Sequence, residues 1–169
     1  MTPLTNRDLL GRVLRAGSAI AAIYSFLYYL LPATTGLNLV ALLNLTLASA
    51  SAMLMNTIGF AVTQSDSLLT FRSASVVVTN ECNGVGAWLL IVGGMAALPS
   101  ISWRWRLVGI AASAVIVSVV NITRIAMLCY LQAERPSWFG PFHEQIAPLF
   151  VVMTACACFT LWLRGLEYA

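Results

Sequence analysis

Residues 106–131 read RLVGIAASAVIVSVVNITRIAMLCYL, an apolar run whose interior carries one charge, Arg124. At ~1.5 Å per residue such a helix is long enough to cross a hydrocarbon layer of ~30 Å. The whole chain agrees with that reading. Of 169 residues, 60% are hydrophobic and 9% charged, against roughly 25% charged in a soluble domain. With about 20 residues per crossing there is room for four or five helices and short loops, so residues 1–169 are read as one integral membrane domain without a separate soluble module.

Working outward from this helix, the flanking arginines set a topology. Arg104 and Arg106 precede it, Arg164 follows the last apolar stretch (144–163), and Arg7, Arg12 and Arg15 precede the first, 16–31, which is followed by Pro32 and reads as an uncleaved signal anchor. By the positive-inside rule all of these face the cytoplasm. A third apolar stretch, 84–98, is closed by Pro99, and 136–141 (PSWFGP) reads as a tight loop with interfacial aromatics. The second stretch, 37–60, is long enough to cross, yet Asn38, Thr46, Ser49, Asn56 and Thr57 share about a third of its circumference at ~100° per residue. It is expected to lie at the interface or pack on partners, because the amino-terminal arginines can be inside only if it does not fully cross. The expected fold is therefore all-α and polytopic, with four transmembrane helices plus one interfacial helix. Five transmembrane helices with an outside amino terminus are the alternative. Between residues 61 and 81 the pattern turns polar and β-branched, with Gln64–Ser67 as a turn and Ala74–Thr79 as a strand, which predicts a small extracytoplasmic β-hairpin leading into Cys82.

Three chemically capable residues then fall on one side of the membrane. Cys82 lies in TNECNGVG (79–86) at a strand-to-helix junction, where the unpaired N–H groups and positive dipole end of a helix favour thiolate. Gly84 and Gly86 permit close backbone approach, while Glu81 opposes ionisation of the thiol unless it faces elsewhere. Arg124 stands roughly 10 Å inside its helix end, where a charge costs a few kcal/mol and marks a functional site, with Asn121 one turn away on the same face. His143, the only histidine, opens the last helix. Thiol, imidazole and guanidinium suffice for acyl transfer through a thioester: the thiolate attacks, the imidazolium protonates the departing amine, and the guanidinium holds the oxyanion. The set needs no metal and no cofactor.

Other chemistries fit poorly. The chain has no Lys, which excludes Schiff-base and Ser-Lys mechanisms, and its cysteines (82, 129, 156, 158) show neither CxxC nor zinc-ligand spacing. There is no intramembrane carboxylate pair, no HExxH and no Gly-x-Ser-x-Gly elbow. The net charge of +3 is accounted for by topology, with no nucleic-acid partner implied. A non-catalytic polytopic scaffold or transporter subunit, with Arg124 as a structural or headgroup contact, is the competing reading.

Cys82-Asn83-Gly84-Val85, Asn121-Ile122-Thr123-Arg124-Ile125 and a later His143 resemble, in order, the motifs of the exosortase/archaeosortase family. The resemblance covers about residues 60–163, and the size and Cys-Asn-Gly-Val are similar to compact bacterial exosortases. Asn83 stands where Ser is commoner, and residues 143–147 lack a glycine expected after the histidine. The resemblance implies a cell (inner) membrane cysteine peptidase or transpeptidase facing the extracytoplasmic side. Its partners would be membrane-anchored proteins carrying a carboxy-terminal sorting signal: a short motif, a transmembrane helix and a basic tail. It further implies Cys82 as nucleophile, His143 as acid/base and Arg124 as transition-state stabiliser. Asn83, Gly84, Asn121 and Glu81 would support them or bind substrate.

Overall fold

A computed structural model describes residues 6–98 and 101–165. The chain is helical apart from one small sheet. The first helix, α1, consists of an α-helix Asn6–Ser25, a π turn Phe26–Leu30 and a last α-helical piece Leu31–Thr35 that ends on Gly36 in the left-handed conformation. Helix α2 is Leu39–Thr57, with the Asn38 side chain accepting from the Ala41 N–H as its N-cap. Strands β1 (Val62–Ser65), β2 (Leu68–Phe71) and β3 (Ala74–Val77) form an antiparallel meander, and a 3-10 turn Asn80–Cys82 leads to α3 (Val85–Ala97). Helix α4 is Trp103–Glu134, capped by Ser102. The last helix, α5, joins Pro136–Pro141, a π turn Phe142–Ile146 and Ala147–Gly165.

Side-chain contacts set the directions of these helices. Ile20 packs where a Cβ on Gly93 would stand, while Tyr28 reaches Asn83, so α1 and α3 are antiparallel. Trp88 donates to the Ile110 carbonyl and Arg106 to the Ala96 and Leu98 carbonyls, so α3 and α4 are antiparallel too. Trp162 lies against Gly109 and Val151 beside Arg124, which makes α5 antiparallel to α4. These four helices form an up-and-down bundle that brings Arg104, Arg106 and Arg164 to one end, the end from which Arg12 and Arg15 enter. Helix α2 behaves differently. Its start (Leu39, Leu43) shares a cavity wall with Val117 and Ser118, Ser51 donates to the Ile122 carbonyl, and its end (Leu54, Ile58) meets Met127 and Tyr130. It therefore runs parallel to the carboxy-terminal half of α4 and does not return the chain across the bundle.

Four helices are long and apolar enough to cross a membrane: Leu10–Thr35, Leu39–Thr57, Trp103–Glu134 and Pro136–Gly165. The all-α polytopic expectation holds, with several details corrected. The short member is α3, whose 13 residues span about 20 Å, whereas Leu39–Thr57 has the length expected of the 37–60 stretch. The polar stripe Asn38, Thr46, Ser49, Asn56 and Thr57 faces outward, and Asn44 and Ser51 on the other face are the buried ones. The hairpin is a three-stranded meander, because Leu68–Phe71 supplies a middle strand that buries Leu69 and Phe71 on Met55, Ile125 and Cys129. Asp66 and Arg72 take positive φ at its two turns, so Gln64 and Ser65 belong to β1 and not to the turn. Residues 136–141 are helix and not a loop: Pro136 occupies a first-turn position, where its missing N–H costs nothing. Pro32 likewise does not stop α1. The predicted stop at Pro99 lies outside the described residues.

Candidate active site

Three helices and one loop build the site around Cys82. The chain leaves β3, makes its 3-10 turn and passes through Gly84 at φ +75° into α3. A Cβ on Gly84 would lie 3.2 Å from the Val117 side chain and 3.6 Å from that of Asn121. Glycine thus serves both the left-handed backbone and the close approach to α4. From α4, Asn121 donates its amide to the Cys82 carbonyl at 2.6 Å. Asn121 is fully buried, and its Oδ1 has no partner among the described residues.

Cys82 is 7% exposed, and its Sγ lies 3.7 Å from Nε2 of His143. Residues 61 apart in sequence thus meet, as the helix order predicted. The histidine sits in the π turn of α5, and its ring stacks on Phe139 one turn earlier, with centroids 5.6 Å apart and planes within 5°. That stack sets the ring plane, so that Nε2 points at the sulfur. That distance is within reach of a hydrogen bond to sulfur.

The expected helix-dipole activation of the thiol is not how the loop is built. Cys82 precedes α3 by three residues, and the first helical N–H, that of Val85, donates to Oδ1 of Asn83 at 3.0 Å. The Asn83 side chain occupies the place that the thiol was expected to take. The group that faces the sulfur is the imidazole of His143.

Arg124 lies on the Asn121 face of α4 and lines a cavity of about 290 Å³ together with Tyr28, Asn80, Glu81, Asn83, Gly84 and Pro148. The neighbours of Cys82 on both sides thus share a cavity with the guanidinium. Its Nε is buried without an acceptor among the described residues, leaving a donor for a group that enters. Glu81 is exposed and makes no ion pair among those residues. Arg124 also borders an apolar groove of about 360 Å³ between α4 and α5, lined by Val119, Met127, Phe142 and Phe150. No three His, Cys, Asp or Glu side chains among the described residues gather to hold a metal ion.

Sequence reading missed Tyr28, Asn44, Asn80 and Phe139. The buried Asn83 carboxamide lies within hydrogen-bond distance of the Tyr28 hydroxyl (2.9 and 3.1 Å) and donates to Asn44 Oδ1 at 3.2 Å. Asn44 in turn donates to Asn80 Oδ1 at 2.9 Å. The available signal was Asn44 itself, a polar residue in an apolar helix lying off the outward polar stripe.

Fold and site together define a polytopic membrane protein whose single histidine meets a loop cysteine, with Arg124 lining a cavity that the neighbours of that cysteine also line. The family model for transmembrane exosortase (Exosortase_EpsH) matches residues 9–164, and the chain belongs to that family. The match reaches well beyond residues 60–163, where the motifs lie. No curated protein matches the chain, and no solved structure does.

Proposed function

We propose that this chain is a membrane cysteine peptidase/transpeptidase that cuts carboxy-terminal sorting signals through a thioester on Cys82. The observation that carries the reading is the 3.7 Å approach of Cys82 Sγ to His143 Nε2. His143 takes the thiol proton, and the thiolate adds to the scissile carbonyl. Arg124, with its uncommitted donor, holds the oxyanion that forms. As the intermediate collapses, the C–N bond breaks and the imidazolium gives its proton to the leaving amine. An acceptor amine or water then attacks the thioester, losing its proton to the imidazole and returning the thiol. Asn121 keeps the Cys82 backbone fixed through these steps, and the left-handed Gly84 lets it do so.

The substrate is a membrane-anchored protein bearing a short motif, a transmembrane helix and a basic tail. The site faces the extracytoplasmic side of the cell membrane, a placement supported by Arg104, Arg106 and Arg164 lying at the other end of the bundle. Asp66→Cys at the sheet turn and Arg104→Cys, each in a background free of other cysteines, should label from outside and inside respectively.

Co-expression with a tail-bearing substrate tests the chemistry. The native chain should process it, whereas Cys82→Ala at equal membrane abundance should not. Processing that survives Cys82→Ala would overturn the proposal.

A further inference from the structure

We propose that Tyr28 and Asn44 are positioning residues for the Cys82 thiol, acting through Asn83 and Asn80. This rests on the reading of Cys82 as the reacting group. Asn80 and Asn83 bracket the 81–82 dipeptide, and a continuous hydrogen-bonded chain grips both: Tyr28 on α1, Asn83 in the loop, Asn44 on α2, Asn80 in the loop. Asn121 on α4 holds the Cys82 carbonyl between them. The backbone on either side of the thiol is thus tied to three helices, each by one polar side chain, while Sγ itself is left to His143.

Burial stiffens the tie between Asn44 and Asn83: they are 7% and 6% exposed, and a buried carboxamide that loses its partner is left unsatisfied. The loop therefore has little freedom to rotate the thiol away. Asn83 is the residue type that the arrangement needs. Its oxygen accepts the Val85 N–H and its nitrogen donates to Asn44, with the Tyr28 hydroxyl within reach of both atoms. A serine at this position offers a single oxygen on a shorter arm in place of the two separated polar atoms of the carboxamide. The Cys-Asn-Gly form of the motif is thereby coupled to Tyr28 and Asn44, more than 35 residues upstream.

The test compares Asn44→Ala, Tyr28→Phe and Asn83→Ser with Thr46→Ala, which faces outward on the helix that carries Asn44. Full-length chains in native membranes give two readouts: kcat and KM for the tail-bearing substrate, and the pH dependence of Cys82 alkylation by iodoacetamide, followed on the Cys82 peptide by mass spectrometry. Asn44→Ala is expected to lower kcat roughly 10- to 100-fold and Tyr28→Phe roughly 3- to 10-fold, with KM nearly unchanged. Both should displace the alkylation midpoint from that of Thr46→Ala. Asn44→Asp, which keeps the acceptor for Asn83 and loses the donor to Asn80, should fall between parent and Asn44→Ala. If Asn44→Ala matches Thr46→Ala in both readouts while Cys82→Ala still blocks processing, the positioning role is overturned and the peptidase reading stands. If the native chain processes nothing but the alkylation midpoint moves in Asn44→Ala, the peptidase reading fails and the positioning role stands.

Discussion

Two π turns flank the site, Phe26–Leu30 in α1 and Phe142–Ile146 in α5, and each is followed two residues later by a proline, Pro32 and Pro148. Proline inside a helix removes an N–H and its ring presses on the carbonyl four residues back, and a widened turn relieves that pressure. The same backbone device carries two different groups. Tyr28 in the first turn has its hydroxyl closed between the two polar atoms of Asn83. His143 in the second reaches the Cys82 sulfur through Nε2, with its ring stacked on Phe139. A group whose hydrogen bonds are saturated can hold a loop, whereas one with an ionisable, lightly engaged nitrogen can move a proton. The difference lies in what faces each turn, not in the turns themselves.

That contrast can be broken experimentally, most severely at His143. His143→Ala should reduce processing by about 10²- to 10⁴-fold, the range of a lost general acid/base, in a substrate-cleavage assay at matched membrane abundance. Retention of near-native rates would erase the distinction between the turns. Arg124→Lys, in the cavity that Tyr28 and Pro148 also line, should cost about 10²- to 10³-fold, since an ammonium lacks the planar fork that meets an oxyanion. An unchanged rate in that variant would remove the guanidinium from the mechanism.

Smaller effects sharpen the comparison. Gly84→Ala, which strains a left-handed backbone and crowds Val117, should destabilise the fold by about 1–2 kcal/mol or more, read as a lower unfolding midpoint in detergent. Phe139→Leu keeps an apolar side chain but loses the stack, so processing should fall several-fold, with no comparable effect on the Tyr28 side. The mildest pair is Pro148→Ala and Pro32→Ala. Release of the second turn should slow processing about 2- to 5-fold through His143, and release of the first should act less, because Tyr28 remains pinned at both atoms of Asn83.

Much of this was legible beforehand, for physical reasons that differ from residue to residue. Membrane residence and the runs around 16–31, 106–131 and 144–163 follow from apolarity sustained over many residues, a signal that no local accident imitates. Cys82, Arg124 and His143 stood out because each is chemically capable and out of place in its surroundings. The middle strand Leu68–Phe71 did not stand out, because four residues are too few to display an alternation. Pro32 and Pro141 misled: prolines mark helix ends by default, yet the helices run on through both.

The amino-acid sequence by itself determined a polytopic membrane chain with its arginines biased to one end and three reactive groups placed toward the other. Those are properties of single residues and of their spacing along one helix. Only the tertiary structure decided that α2 runs alongside α4, that Asn83 and not the thiol takes the first N–H of α3, and that Tyr28 and Asn44 reach the Cys82 loop. Each of these depends on which residues meet across 36 to 71 residues of chain, or on how the loop between β3 and α3 closes. Hydropathy and periodicity contain no term for such pairings, because a hydrogen bond between distant residues exists only once the helices have chosen their neighbours.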